Sequence, residues 1–426
     1  MLRAACAAVV LTSCAAAAVA QPAGKPQVDP LVFAIPGSAD TGAPEWVKPG
    51  VRLTFYASSS VRNSDPGKPR LEPDPNGNVI DDKGKRWRWV NPGGHGQAGS
   101  SGGIGWTTVD VIASEPGVLV LQQTDLLMPD GMNQPARETS GSVIVTHPAA
   151  CAFFAHPKLL ALMEPVHEGG HTVLRERYQH NSREIIALRV VSERLGFDSQ
   201  LFDLERGTLL AGGFRSKQQQ GHVADPMGNI SQATAITQLT IRHVSTRQLD
   251  MPWATRPMQM PDWARNTKRL RFQGSSRMES ATGNLPGAHV IVDIVTQQVG
   301  TNWSTYEVIY QEVRQDNVPI PPVRGTTASG PASLMGVWMD PGALRALKTG
   351  QVLDTDPTTG RQTMVEFAGR GQNGRPIVAI AAVTAVQRIV NVYDVEEGRL
   401  IQVRRIDAYP QVQSQMVLEL VLTGVE

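Results

Sequence analysis

One stretch of sixteen residues occurs twice in the 426-residue chain, 217 positions apart. The first copy runs from Pro44 to Ser59 and the second from Pro261 to Ser276, and seven of the sixteen positions are identical. Background composition alone would give roughly one identity. Because self-similarity of this kind is typical of an internal duplication, we expect two homologous domains in tandem.

Further matches follow in the same order along the chain. Gly207 and Gly398 occupy the same place in two polar turns with apolar flanks, which predicts a left-handed turn position at each glycine. Asp340 precedes a proline, as expected at the start of a capped helix. The matched segments are 106–112 with 303–309, 156–162 with 340–347, and 202–210 with 393–401.

The length and the turn pattern together predict the domain organisation and the fold class. The chain is too long for one ordinary core and fits two domains of about 150 to 200 residues. Each copy has about eight to ten short strand-like segments and one short helix, without the β-α-β alternation of a nucleotide-binding fold. We therefore predict two tandem antiparallel β domains, each a half-barrel, barrel or sandwich. The predicted parts are a signal peptide, an extended lead-in, a first domain, a linker and a second domain, at 1–20, 21–43, 44–246, 247–260 and 261–426.

The N-terminus predicts export. Arg3 precedes an Ala/Val-rich apolar run that ends in small residues at Ala20, as in a cleaved secretory signal. A competing interpretation is a bacterial lipobox, in which Cys14 would carry a lipid anchor. We expect an extracytoplasmic protein, periplasmic or secreted, with lipidation as the alternative, and no transmembrane span. A net charge of +1 argues against a nucleic-acid partner.

The string His167-Glu168-Gly169-Gly170-His171 satisfies the zinc-protease pattern H-E-x-x-H. That chemistry requires a helix, which places both imidazoles on one face and the glutamate near a metal-bound water. Two adjacent glycines cost about 1 kcal/mol each in a helix interior, and the residues after the string alternate like a strand. The second copy has a turn-rich loop at the equivalent place. We therefore predict a loop or hairpin here and no metal site, with His167, Glu168 and His171 as weak candidate ligands.

The other motifs are better explained by structural roles than by a functional site. The matches to G-x-G-x-x-G and G-x-S-x-G at 94–99 and 99–103 lack the following helix that both motifs need. Cys151 lies in apolar surroundings typical of an inert buried thiol. The Asp-rich segment 354–360 predicts a turn. Two tryptophan pairs, Trp46 with Trp263 and Trp106 with Trp303, fit duplicated core positions better than an apolar ligand site.

These patterns favour an exported, non-catalytic binding or interaction protein of the cell envelope, with an apolar groove in a curved sheet. Its partner would be an apolar ligand or an envelope protein, and no cofactor is expected. One alternative is a zinc-dependent hydrolase that uses His167, Glu168 and His171. Another is a purely structural envelope or surface protein.

Overall fold

A computed structural model of the protein describes residues 41–64, 78–80, 86–88, 101–129, 137–162, 164–168, 171–192, 196–224, 230–253, 258–280, 283–313, 322–409 and 413–426. The predicted signal peptide, Cys14 and the glycine-rich motif at 94–99 lie outside these residues. None of the helices in the described part of the chain combines the length and the hydrophobicity of a membrane span.

The first half is built from strands and one short helix. Its described elements are β1 (Val51–Ser64), β2 (Asn78–Ile80), β3 (Arg86–Arg88), β4 (Ser101–Glu115), β5 (Val118–Pro129), β6 (Arg137–Val145), β7 (Ala150–Cys151), β8 (Phe154–Ala155), α1 (Pro157–Leu162), β9 (Val166–Glu168), β10 (His171–His180), β11 (Arg183–Ser192), β12 (Gly196–Asp203), β13 (Leu209–Ala224) and β14 (Ile230–Gln248). Ten of these strands form one open antiparallel sheet in the order β6-β5-β4-β1-β14-β13-β12-β11-β10-β9.

The second half has the same plan. Its described elements are α2 (Asp262–Asn266), β15 (Arg269–Ser280), β16 (Gly283–Val299), β17 (Ser304–Val313), β18 (Val323–Ser329), α3 (Pro341–Ala346), β19 (Val352–Thr355), β20 (Gln362–Arg370), β21 (Pro376–Val383), β22 (Gln387–Asp394), β23 (Arg399–Tyr409) and β24 (Ser414–Val425). Ten strands again form one antiparallel sheet, in the order β18-β17-β16-β15-β24-β23-β22-β21-β20-β19.

The two sheets correspond strand by strand. Each sheet places its first long strand, β1 or β15, beside the last strand of its half, β14 or β24. The register shifts between Thr54 and Phe55 in one pair and between Arg271 and Phe272 in the other, at equivalent positions. The predicted fold class, two mainly β antiparallel domains with short helices, is confirmed, and α2 is an additional helical turn.

One predicted match is wrong by a strand. Trp106 lies in β4, which pairs with β1, and the counterpart of β4 is β16. Trp303 precedes β17, which is the counterpart of β5. Both tryptophans are followed by a Thr- and Val-containing strand segment, so the sequence pattern alone could not distinguish two neighbouring strands of the same type.

The two faces of the first sheet differ along β1. Leu53, Phe55 and Ala57 are buried in the hydrophobic core, so their side defines the core face. Arg52 and Tyr56 alternate with them and lie on the opposite side, the outer face.

The core face of each sheet is filled by the chain itself. The segment between β6 and β9 crosses from one edge of the first sheet to the other and buries Phe154 and Leu160 completely. In the second half, the segment between β18 and β19 buries Trp338 and Leu344 in the same way. Asp340 caps α3, as predicted, because its side chain accepts a hydrogen bond from the backbone N–H of Ala343 at 2.8 Å.

The two glycine turns are confirmed. Gly207 and Gly398 have φ angles of 71° and 67°, in the left-handed region that favours glycine. Each glycine carbonyl accepts a hydrogen bond of 2.8 Å, from the N–H of Ala155 and of Met339 respectively. A side chain at Gly207 would collide with the carbonyl oxygen of Ala155, and one at Gly398 with that of Met339. Each turn therefore fastens the crossing segment of its half to the sheet.

In the predicted linker, 247–260, the described residues 248–253 and 258–260 alternate between exposed and buried positions. Gln248 is the last residue of β14. The apolar residues that follow are buried in the hydrophobic core of the second half: Leu249, Met251, Trp253, Met258 and Met260. A third, small hydrophobic cluster joins the halves directly and consists of Ile112, Ala113, Val120, Trp303 and Ala328.

Candidate functional site

The zinc-protease string lies on a hairpin of β9 and β10. Thr172 is the cross-strand partner of His167, and Glu168 is the partner of His171. His167 is exposed, and its Nδ1 lies 3.0 Å from the hydroxyl of Thr172. The two histidines thus sit on opposite strands, not one helical turn apart as the H-E-x-x-H chemistry requires. Among the described residues, no group of three or more His, Cys, Asp or Glu side chains has metal-binding geometry.

Cys151 and the tryptophan pair Trp46 and Trp263 serve the scaffold. Cys151 is buried, and its sulfur accepts the backbone N–H of Phe153 at 3.4 Å. The indole N–H of Trp46 donates to the carbonyl of Arg206 at 2.7 Å. Trp263 makes the equivalent bond in the second half, to the carbonyl of Glu397 at 2.6 Å. Both tryptophans therefore brace the glycine turns rather than line a ligand site.

The outer face of the first sheet begins with a row of charged side chains. Arg52 forms a two-pronged ion pair with its cross-strand partner Asp110, at 2.6 and 2.7 Å. Arg247, on the other side of Arg52, forms a second two-pronged pair with Asp354 of the second half, at 2.7 and 2.8 Å. The side chains of Arg52 and Asp354 are 7% and 3% exposed. This buried ion cluster binds the halves together, and its carboxylates raise the pKa of Arg52 against the opposing effect of burial.

Asp356 completes the ion cluster from the turn between β19 and β20. Its carboxylate lies 3.5 Å from Arg52 and 3.6 Å from Arg247 and is fully buried. It also accepts the backbone N–H groups of Thr358 and Thr359 at 2.9 and 3.2 Å, which shapes the turn. Burial alone would raise the pKa of Asp356, but these N–H groups and the two arginines lower it below its ordinary value. The Asp-rich segment is thus a turn, and it is the element that docks the second half.

Beyond the ion cluster comes a row of threonines, and after that row the outer face becomes apolar. Tyr56, Trp106 and Leu126 are cross-strand neighbours on β1, β4 and β5. Ile104 and Met128 form the next row. Tyr56, Ile104 and Met128 are 40%, 46% and 53% exposed. The Tyr56 and Trp106 rings meet edge to face, with centroids 5.8 Å apart. We call these five residues the aromatic patch.

The equivalent row of the second half has two glutamines and no aromatic side chain. Gln273, Ile291 and Gln311 are cross-strand neighbours on β15, β16 and β17, the counterparts of β1, β4 and β5. The fold therefore builds the same three-strand row without aromatic side chains. Exposed apolar clusters on a protein surface mark interaction sites, and large aromatic side chains are enriched in interfaces. The aromatic patch therefore distinguishes the first half from the second.

The turn between β19 and β20 borders the aromatic patch. On one side, the hydroxyl of Thr358 lies 3.3 Å from that of Ser245 on β14. On the other side, Arg361 lies 3.8 Å from Glu138 on β6, the cross-strand partner of Leu126. The turn thus contacts the outer face at both β14 and β6. It forms one side, the wall, of an angle whose other side, the floor, is the aromatic patch. We call this angle between the two halves the notch.

Sequence reasoning missed both the ion cluster and the notch. Tyr56 and Trp106 were visible in the sequence as strand residues, but alternation does not tell which of the two faces meets the core. One signal was available: at the position of Tyr56 the second copy has Gln273. An aromatic residue replaced by glutamine between two copies is typical of a surface position rather than a core position.

The sequence matches no protein-family model and none of the curated proteins. Solved structures with some likeness include a putative AttH from Nitrosomonas europaea, with 8% identity, covering 94% of this chain and 98% of that one, at a TM-score of 0.15. A putative outer membrane protein from Bacteroides fragilis has 7% identity, 75% and 89% coverage and a TM-score of 0.11. A DUF3598-family protein of unknown function from Nostoc punctiforme has 12% identity, 89% and 99% coverage and a TM-score of 0.11. TM-scores this low support no statement about fold or function.

Proposed function

We propose that the protein is an exported, non-catalytic interaction protein of the cell envelope, and that the aromatic patch contacts a partner protein. The observation that carries this proposal is the contrast between two equivalent rows, Tyr56-Trp106-Leu126 and Gln273-Ile291-Gln311. Export is supported by the secretory pattern of the first twenty residues.

A partner protein fits the surface better than a small apolar ligand does. Small-molecule sites are concave and enclose most of their ligand. The core faces, where the sequence predicts an apolar groove, are occupied by the protein's own side chains, among them Phe154 and Trp338. The aromatic patch instead lies on the outer sheet face with the turn between β19 and β20 along one border, which offers broad contact area without enclosing a ligand. Broad surfaces with aromatic anchors are typical of protein–protein interfaces.

The test replaces the aromatic row of the first half with the residues that occupy the equivalent row of the second half. We call the triple substitution Tyr56→Gln, Trp106→Ile and Leu126→Gln the row-swap variant. The partner is cross-linked in the native envelope, identified by mass spectrometry, purified, and titrated against each variant. Because interface aromatic residues are frequent hot spots, the row-swap variant should bind at least about tenfold more weakly.

A matched control separates this effect from a general surface change. Gln273→Ala combined with Gln311→Ala alters the equivalent row of the second half and should leave the Kd unchanged. An unchanged Kd in the row-swap variant would refute the patch as the binding surface.

A further inference from the structure

The notch is long enough for an extended polypeptide. The row that contains the patch runs across five neighbouring strands, from Arg242 on β14 to Glu138 on β6. Neighbouring strands lie about 4.8 Å apart, so this row is about 19 Å long. An extended segment of about six residues covers that distance. Such a segment could contact the floor of the notch with one side and the wall with the other.

The rim of the notch carries one net positive charge, because it holds two arginines and the carboxylate of Glu138. Arg242 is exposed at one end of the row. At the other end stands Arg361, and the Glu138 side chain beside it is 9% exposed. Among the described residues of the patch row, Glu138 is the one carboxylate. A bound segment therefore meets two arginines at the ends of the row and apolar side chains between them.

We infer that the partner binds through an extended segment in which apolar or aromatic side chains are flanked by Asp or Glu. This inference rests on the proposed function and names the chemistry of its partner. Apolar side chains of the segment cover Trp106 and Ile104, and its flanking carboxylates pair with Arg242 and Arg361. Partly desolvated arginine–carboxylate pairs are stronger than pairs in open water, and they set the register of the bound chain.

The shape of the site favours a polypeptide over a membrane surface. The wall formed by the turn between β19 and β20 touches the outer face at Ser245 and near Glu138. The patch therefore lies in an internal angle between the halves. A flexible chain enters such an angle, whereas a planar bilayer contacts protruding surfaces. The surface is also continuous with the contact between the halves, which already uses arginine–aspartate pairs.

The experiment uses a phage-displayed library of random twelve-residue peptides against the full-length protein, with the row-swap variant as counter-selection. We expect enrichment of peptides that combine aromatic or aliphatic residues with Asp or Glu at their ends. The strongest binder is then synthesised with a fluorescent label, and its Kd is measured by anisotropy. Arg242→Glu should weaken that peptide at least about tenfold, while Arg370→Glu, an exposed arginine of the second half, should leave the Kd unchanged.

Several results would overturn the inference. They are enrichment of basic or uncharged peptides, an equal Kd for the row-swap variant, or no selectable binder at all. Vesicles of phosphatidylglycerol that bind the wild type and not the row-swap variant would assign the patch to an anionic membrane instead. Self-association in sedimentation that the row swap abolishes would assign it to a second copy of the chain. A native partner that depends on the row but is not displaced by the selected peptide would leave the proposed function standing and defeat this inference alone.

Discussion

The outer faces of the two sheets carry equivalent arginines, and their charges are neutralised in different ways. In the first half, Arg52 is 7% exposed and its charge is shared with carboxylates of both halves. In the second half, the equivalent Arg269 is 32% exposed and pairs with Asp293 of its own sheet, together with Arg271. The arginine of the first sheet is thus paired in part with carboxylates of the second half, whereas the arginine of the second sheet is paired within its own sheet. The same order of strands thus supports one outer face that binds the other half and one whose charges are paired within the sheet.

The docking element is also present in one half only of the described structure. Six residues, 356–361, separate β19 from β20, whereas two residues separate β9 from β10. The longer turn carries Asp356 and Arg361, which reach the first sheet. The contact between the halves is heterologous, since different surfaces meet, and such contacts can continue from copy to copy. The short hairpin of β9 and β10 lacks the longer acidic turn, so it cannot form the same contact with a further copy.

The largest expected effect distinguishes the buried ion cluster from the Asp293 pair, whose arginines are partly exposed. Asp354→Ala removes the two-pronged partner of Arg247 from the buried ion cluster and leaves Asp356, 3.6 Å away, as its remaining carboxylate, so the free energy of unfolding should fall by about 3 kcal/mol. Asp293→Ala, the matched change in the second half, should cost about 1 kcal/mol or less because its arginines reach water. Urea unfolding followed by tryptophan fluorescence measures both. Equal losses would contradict the difference between the two faces.

Acid should weaken the ion cluster. The pKa of Asp356 is lowered in the folded protein, so its contribution to stability is complete above the ordinary aspartate pKa of about 3.9 and is lost as the pH falls through the lowered value. Unfolding free energies between pH 5 and pH 2 should therefore decline less steeply for Asp356→Asn than for the wild type. Identical slopes would show that Asp356 does not contribute to the pH dependence. The pKa of Asp293 is lowered to about 2, so Asp293→Asn serves as the comparison in the second half.

The row-swap variant should change stability little. Tyr56 is 40% exposed, and the replacement residues already occupy the equivalent row of the second half. Surface substitutions of this kind cost about 0.5 kcal/mol each, so the total loss should be about 1.5 kcal/mol or less. Thermal unfolding by circular dichroism provides the measurement. A loss of about 3 kcal/mol or more would assign the aromatic row to folding rather than to binding.

The smallest effect is expected from the reverse graft. Gln273→Tyr, Ile291→Trp and Gln311→Leu reproduce the floor of the notch on the second half, where the structure describes no docked turn as a wall. Because an open floor without flanking arginines buries little of a peptide, calorimetric titration should still find about one peptide per chain. A second site of similar affinity would show that the wall and the rim are dispensable.

The sequence predicts the scaffold well because local chemistry determines it. The glycine turns at Gly207 and Gly398 and the cap at Asp340 each depend on neighbours within a few positions. The hairpin at His167 also follows from local signals, namely two glycines and an alternating strand. These elements could be placed before any three-dimensional information.

The sequence does not predict the notch because its parts are distant along the chain. Arg52 and Asp354 are 302 positions apart, and nothing near either residue indicates the other. Similar residues follow Trp106 and Trp303, so the two segments look equivalent in the sequence although they belong to different places in the sheets. Long-range pairing and the choice of face are properties of the assembled fold, which one sequence does not encode locally.

The packed connection between the halves has a practical consequence for dividing the molecule. Met251, Trp253, Met258 and Met260 precede the second sheet yet supply its hydrophobic core. A fragment that begins at Pro261 would lack these side chains, and an empty space would remain where each had been. A second half prepared alone should therefore start at Leu249, immediately after the last ladder residue of the first sheet. The boundary that matters for folding is thus the end of a strand, not the start of the repeat.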